Sequence, residues 1–406
     1  MTTPTASRPA PAPPAALLDP RGRTRPADLP AHLHRFGPAP AAPAEAVLAA
    51  ARAAGLRGCG GAWRPTAAKL EAVSAASRRR GRRAVAVANA AEGEPWSTKD
   101  AALLRTHPHL VLEGLQLAGR AVDADRLLVH GHHGPALEAV AAAARERDGA
   151  DPLPVRLVTV PRAYVSGQET AVARAVEGGP ALPRPRPRPD GVPLAGGAPV
   201  LVQNVETLAR LALAVRGLAQ PGPLVTVCAP DLPPTARELR PGATVSDALA
   251  AVDPGLPGRA GAVLVGGCAG TWLPAAACLD RTLSPEGLAP VGASPGAGVL
   301  LVAPRGTCVL ATTATAVRHL ADSSAGQCGP CWRGLPALAD LVEDLAAGRL
   351  RDGGLAALHR AVGLVDGRGA CGHPDGAART VASALSAVPD DVPAHLHGSC
   401  TEGGRP

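Results

Sequence analysis

Cys328 and Cys331 stand three residues apart in Ser324-Ala-Gly-Gln-Cys-Gly-Pro-Cys-Trp-Arg333, and a third thiol, Cys371, opens Cys-Gly-His-Pro374. A C-x-x-C at a loop-to-helix junction with a distant third cysteine suits iron–sulfur ligation, because thiolates are the usual ligands of such clusters. A buried or redox-active thiol pair is the other reading of the same spacing. The chain has nine cysteines in 406 residues; that usage reads as buried thiols or metal ligands rather than a disulfide framework.

Four further segments carry polar chemistry. Gly55-Leu-Arg-Gly-Cys-Gly-Gly-Ala62, followed by Lys69, is a glycine-rich loop opening a helix. Such a loop lets backbone approach a phosphate, and the helix N-terminus supplies N–H donors and a favourable dipole. With 47 glycines in the chain, a ligand-free turn is the competing reading. Asn89-Ala-Ala-Glu-Gly-Glu-Pro95 follows a strand, at the carboxyl end where open α/β sheets bind ligands; an acidic loop with a helix cap would look the same. Tyr164-Val-Ser-Gly-Gln-Glu169 and Gln203-Asn-Val-Glu-Thr207 add two polar clusters, each an ordinary helix start when taken alone.

Alternating elements must position these residues. Short β-like runs at 84–89, 127–130 and 155–160 alternate with helical patterns at 108–121 and 135–147, which implies a mostly parallel, doubly wound sheet. A Pro/Arg tract at 182–189 reads as an extended loop. A β-rich stretch follows Leu218, with a turn leading into a short helix near 241–249, and apolar repeats at 335–350, 355–362 and 377–387 predict a helical C-terminal part. Residues 1–42, rich in Pro and Ala, read as a flexible or loosely docked extension, and 391–406 as a tail.

Composition bounds the rest. Hydrophobic residues make up 46% of the chain, yet there is one Phe, one Tyr and four Trp, so the core is built from Ala, Val and Leu. The formal charge is +7, but the run Arg78 to Arg83 follows a helical pattern, where cations favour the helix C-terminus. With so few aromatics, a groove that stacks nucleic-acid bases is not expected. The N-terminus lacks a basic start and an apolar run, so a cytoplasmic location is the expectation. Residues 260–279 carry no charge over a span long enough to cross a bilayer, but their glycines and Pro274 fit a strand, a turn and a second element better.

In this order and spacing, the four polar segments and the cysteines resemble the NADH-binding 51 kDa subunit of respiratory complex I and its hydrogenase relatives, over roughly residues 16–390. The resemblance implies an α/β Rossmann-like flavin domain at 43–218, a small β-grasp domain at 219–305 and a helical iron–sulfur domain at 306–390. It implies FMN held by Gly58, Gly60, Gly61, Lys69, Asn89, Glu92 and Glu94, with Tyr164, Gly167, Gln168, Glu169, Gln203, Asn204 and Thr207 lining the flavin and nicotinamide site. Glu94 and Glu169 are the candidates for orienting the nicotinamide. Cys328, Cys331 and Cys371 match three ligands of the family's [4Fe–4S] cluster. NADH would be the electron donor, and a ferredoxin-like or other iron–sulfur subunit, in a complex with a membrane redox partner, would receive the electrons.

The sequence also departs from the family. Ala325 stands where the first cluster cysteine is expected, which implies a substitute ligand, a three-iron form or no cluster; Cys308, Cys400, His373 and Ser324 are the candidate substitutes. Positions that carry nucleotide-stacking phenylalanines in relatives read Arg64, Ala72 and Pro189, and such stacking is worth ~1–3 kcal/mol per ring. Trp63 and Trp96 lie close enough in sequence to compensate, and Arg186 falls near a basic position of the family. Ala91 replaces an Asp of the flavin loop. These changes leave two other readings open: a flavoprotein that does not use NADH, and a cofactor-poor scaffold subunit of a redox complex.

Overall fold

The computed structural model describes residues 16–18, 26–185 and 191–401. Pro189 and Arg186, the second half of the Pro/Arg tract and the extreme ends of the chain lie outside them.

Two five-stranded sheets and a helical C-terminal part make up the molecule. In the first sheet β1 (Ala84–Ala90), β2 (Ala124–Gly131), β3 (Val155–Thr159), β4 (Leu194–Ala195) and β5 (Ala198–Asn204) take the order β3-β2-β1-β5-β4. All pairings are parallel except that of the short β4. β1 shows why a parallel sheet forms here. Its residues alternate Ala and Val and are buried on both faces, the alanines against one apolar cluster and Val85 and Val87 against another, as a sheet covered by helices on both sides requires. On the alanine face the helices Pro108–Ala121 and Val205–Val215 cross so closely that a Cβ on Gly114 would stand 2.0 Å from the Leu208 carbonyl oxygen. The chain goes outward from β1 through β2 to β3 and returns to β5 on the other side of β1. That reversal opens a crevice at the carboxyl ends of β1 and β5, where Asn89, Gln203 and Asn204 lie.

The second sheet contains β6 (Leu224–Ala229), β7 (Leu232–Glu238), β8 (Ala260–Val265), β9 (Thr271–Pro274) and β10 (Val299–Pro304), in the order β7-β6-β10-β8-β9 with β6 and β10 parallel at its centre. β7 is not signalled by its sequence, which contains two prolines; it is an edge strand, where proline is tolerated. The uncharged stretch 260–279 is broken into β8, a glycine turn, β9 and the short helix Ala275–Cys278. Among the described residues no helix is long and apolar enough to cross a membrane.

The helices Val309–Asp322, Leu335–Ala346, Gly354–Val365 and His373–Ala387 share a third apolar core. His373–Ala387 also lies along β9, where Thr380 donates to the Cys268 carbonyl at 2.8 Å and the Trp272 N–H donates to Ser383 at 3.0 Å.

Near both ends, the described residues include packed and helical segments that their composition does not announce. Leu17 is fully buried, and the N–H groups of Leu17 and Leu18 donate to the Glu238 carboxylate at 2.6 and 2.8 Å. Leu29–Phe36 is a helix capped by Asp28, which accepts from the Ala31 N–H at 2.9 Å. At the other end, Asp391–Leu396 is a helix whose Asp391 and His395 are buried. In each case a few capped or buried polar groups order a segment with no long apolar period to announce it. The arginine run ends the helix Thr66–Arg80 at Gly81, as its sequence implied, and Arg83 beyond it pairs with Asp123.

Candidate functional site

The crevice holds two adjoining cavities of about 310 and 80 Å³ that share Gly60, Asn89, Gly167 and Asn204. The larger is lined also by Glu92, Glu94, Tyr164, Gln168 and Cys371, and the smaller by Gly58, Lys69, Glu169 and Gln203. Of the expected flavin-site residues only Gly61 and Thr207 line neither. Thr207 stands one layer back, where its hydroxyl accepts the Cys59 N–H at 2.9 Å and steadies the glycine loop.

Local structure occupies many of these polar groups. Glu92 accepts from the N–H groups of Asp100 and Ala101, both at 3.1 Å, so it caps the helix Lys99–Thr106. Gln168 caps Glu169–Val176 through the Thr170 and Ala171 N–H groups, and Asn204 caps Val205–Val215 while donating to Asp100 at 2.6 Å. Asn89 donates to the Gly167 carbonyl at 2.8 Å. That contact needs a glycine: a Cβ on Gly167 would stand 2.9 Å from the Ala91 carbonyl oxygen. The Lys69 ammonium meets both the Glu169 carboxylate and the Val202 carbonyl. Gln203 differs from its neighbours, because its buried Nε2 has no partner among the described residues.

Glu94 is buried, and both of its carboxylate oxygens accept the Cys268 N–H, at 3.0 and 3.1 Å. Burial raises its pKa to about 7, against hydrogen bonds from Cys268 and Tyr164 that hold it down. Beneath the crevice lies a buried ionic chain. Lys99 pairs with Asp100 and Glu206 at 2.7 and 2.9 Å, and Glu206 pairs with Arg210 at 2.7 Å. Burial raises Asp100 to about 6 even with Lys99 beside it. Sequence reasoning missed Arg210 and Cys268. The glycines around Cys268 were the available signal, since a Cβ on Gly267 would meet Glu94 at 2.5 Å.

Cys328 and Cys331 stand with their sulfurs 3.4 Å apart, and the charge of Cys371 is felt at Cys331. Burial pushes the Cys328 thiol up, but backbone hydrogen bonds from Ala370 and Cys331 outweigh it and leave the thiol below its ordinary value. Tyr164 bridges to this region, with its ring 5.2 Å from that of His373. His373 donates from Nε2 to the Leu320 carbonyl at 2.7 Å, a tautomer fixed by the acceptor, and its buried Nδ1 has no partner among the described residues. Of the candidate substitute ligands, His373 alone lines the large cavity together with Cys371. Cys308 and Cys400 do not come near the other three thiols. Cys308 caps the start of the helix Val309–Asp322, a rod of about 21 Å whose far end leads to Cys328.

The two tryptophans part company. Trp63 lines the small cavity with φ of 50°, a conformation rare for a bulky residue, and its indole N–H donates to the Gly296 carbonyl at 2.9 Å. Trp96 instead turns to the second sheet beside Cys228 and lines neither cavity, so it does not replace a stacking ring.

The family model for the Nuo51 FMN-binding domain matches residues 51–213, and that for the NADH-ubiquinone oxidoreductase-F iron-sulfur binding region matches residues 311–395. The chain belongs to the family of the complex I 51 kDa subunit. An NADH-quinone oxidoreductase F subunit of Rhizobium meliloti (strain 1021) is 29% identical over 367 residues, covering 84% of this chain and 86% of that protein. The F subunit of the NADH-quinone oxidoreductase of Streptomyces coelicolor is 28% identical over 376 residues, covering 87% and 83%. Among solved structures, an NAD+-reducing [NiFe]-hydrogenase in the H2-reduced state superposes with a TM-score of 0.77 at 30% identity. The match covers 87% of this chain and 63% of the hydrogenase chain. The first family match spans the first sheet and its crevice, and the second spans the helices that carry Cys328, Cys331 and Cys371.

Proposed function

We propose that this protein is an oxidoreductase that carries electrons from NADH through FMN to an iron–sulfur cluster held by Cys328, Cys331 and Cys371, and on to a ferredoxin-like subunit in the cytoplasm. The observation that carries the reading is the shared cavity: Cys371 forms part of the same wall as Asn89, Glu94 and Gly167. A group seated there lies against both the flavin loops and a cluster ligand. In this reading the first sheet is a Rossmann-like flavin unit and the second a β-grasp unit, supported by its parallel central pair flanked by antiparallel strands. The helical region is the iron–sulfur unit.

The residues fit both groups. The crevice offers an orphaned donor in Gln203 Nε2 and a backbone cradle kept open at Gly167, and the three thiols supply soft ligands of the kind iron–sulfur clusters use. Bound, the flavin supplies conversion of a two-electron donor into single electrons. The chain supplies position and protons. Glu94, with its pKa near 7, holds or releases a proton at neutral pH beside the cavity. Tyr164 donates its hydroxyl to Glu94 and packs on His373, which ties the flavin wall to the cluster region. Lys69 and Glu169 set a neutral ion pair at the small cavity, and Trp63 offers its ring for nucleotide stacking.

A second reading, in which a protein rather than NADH reduces the flavin, is favoured by Arg64 at the small cavity where relatives carry an aromatic ring. A visible spectrum with flavin, iron and sulfide analysis on protein purified without oxygen, followed by NADH, separates the two. Cofactors that bleach with NADH support the main reading, and cofactors that do not bleach support the second. Protein with neither cofactor refutes both.

A further inference from the structure

Four side chains with no part in the crevice converge at the start of the helix Val309–Asp322. Ligand atoms of Cys308, Asp391, His395 and Cys400 all lie within 4.8 Å of one another. Cys308 Sγ is 3.4 Å from His395 Nε2 and 4.0 Å from an Asp391 carboxylate oxygen, and that oxygen is 3.5 Å from His395 Nε2. The imidazole is fully buried and the carboxylate nearly so. The two contacts to the Asp391 oxygen are long for hydrogen bonds, so the inward oxygen of a buried carboxylate is left without a close donor. The outward oxygen is satisfied, accepting the Thr401 N–H and hydroxyl, both at 2.9 Å. We propose that Cys308, Asp391, His395 and Cys400 form a tetrahedral site for one zinc ion, separate from the iron–sulfur ligands, which fastens the C-terminal segment to the start of this helix.

The dimensions agree with the donor set. Ligand distances of about 2.3 Å for sulfur and about 2.0–2.2 Å for nitrogen and oxygen place the corners of a zinc tetrahedron roughly 3.3–3.8 Å apart. The three measured separations fall within or close to that range. A [4Fe–4S] cluster does not suit the same geometry, because each of its ligands binds a different iron and the ligand atoms then stand farther apart than the corners of one tetrahedron. Two thiolates, an imidazole and a carboxylate are donors zinc accepts together.

Local structure prepares each ligand. Asp391 and His395 are four residues apart on one helix and therefore share a face. Thr401 orients the Asp391 carboxylate as an outer partner of a metal ligand does. Cys308 is the N-cap residue of its helix, where its sulfur accepts the Ala311 N–H at 3.4 Å, a contact that fixes the sulfur beside His395 and Asp391. On binding, both thiols release their protons to water and form bonds to the metal, with no change of oxidation state.

The test is metal analysis of the full-length protein. Zinc is measured in the parent chain, in Cys328→Ser/Cys331→Ser, which removes two of the three competing thiols, and in Cys308→Ser and Cys400→Ser. The expected result is about one equivalent of zinc in the first two and at least about a tenfold loss in the last two. Cobalt(II) should give thiolate charge-transfer and tetrahedral ligand-field bands that vanish in Cys400→Ser. Cys400 is half-buried near the end of the chain, so that variant keeps a folded protein to assay, and circular dichroism confirms it. Zinc content unchanged in Cys308→Ser and Cys400→Ser overturns the proposal. So does a Cys308–Cys400 disulfide in metal-free protein by mass mapping, or iron in place of zinc at the same ligands.

Discussion

Replacing Glu94 by Gln tests whether the second sheet and the flavin loop are joined through a carboxyl that titrates near neutrality. Glu94 is 7% exposed and its pKa rises from 4.5 to about 7, chiefly through burial. The charges and titratable groups facing it are Cys268, Tyr164, Glu92 and Cys228. A raised carboxyl pKa means that the native state keeps a proton the unfolded chain has lost. The stabilisation is therefore fully present below a pH of about 4.5 and is lost as the pH climbs through about 7. The shift corresponds to roughly 3 kcal/mol between those limits, at about 1.4 kcal/mol per pH unit within the window. Glutamine stays neutral in both states and still offers an oxygen to the Cys268 N–H, so Glu94→Gln lacks this slope. Urea unfolding of the cofactor-stripped protein, followed by fluorescence, reports it, since buried Trp272 lies on β9 beyond the glycine turn that carries Cys268. Below a pH of about 5 the two proteins should be close in stability, and above a pH of about 8 the variant should be ahead by roughly 3 kcal/mol. Glu94→Ala, which leaves the Cys268 N–H without its acceptor, should lose about 1–3 kcal/mol at low pH as well. Parallel pH curves for the parent chain and Glu94→Gln would refute the argument that Glu94 is buried without a compensating charge.

Other outcomes follow from the same geometry. Gly167→Ala forces a Cβ against the Ala91 carbonyl and should strip flavin from the protein while leaving its iron, measured by cofactor analysis. Glu206→Gln removes the carboxylate shared by Lys99 and Arg210, leaving buried Arg210 without a carboxylate and Lys99 with Asp100 alone, and should cost about 3–5 kcal/mol in chemical unfolding. Trp63→Ala should raise KM for NADH roughly 5- to 150-fold with flavin content unchanged, the range set by ~1–3 kcal/mol of stacking; an unchanged KM with active enzyme removes Trp63 from the nucleotide site. Cys331→Ser should lose iron and keep flavin, which chemical analysis of the purified variant decides.

Local chemistry was legible in the sequence where one stretch of chain carried it. The Ala/Val alternation of β1, the helix-capping pattern around Asn204 and the Cys328–Cys331 spacing all read directly onto the structure. The reading failed where the decisive contact joins distant stretches. Glu94 is held by Cys268, far along the chain, and nothing within 89–95 reveals it. Cys308 and Cys400 were two of four candidate substitutes for the ligand lost at Ala325, yet the length of one helix keeps them from the other thiols and gives them Asp391 and His395 as neighbours. β7 was hidden by prolines that only its place at a sheet edge makes harmless. Polar residues that looked like ligands, Glu92 and Gln168 among them, proved to be helix caps as well, because both roles call for the same side chain at the same kind of turn.

The large cavity takes its walls from stretches made at different times. Asn89 to Glu94 leave the ribosome first, Tyr164 and Asn204 follow, and Cys371 to His373 come near the end. During synthesis the basin therefore stands open on one side until the last helices dock along β9, and docking also brings Tyr164 against His373. A group seated on the flavin loops before the C-terminal helices dock therefore meets Asn89 to Glu94 first and gains the Cys371 to His373 wall last.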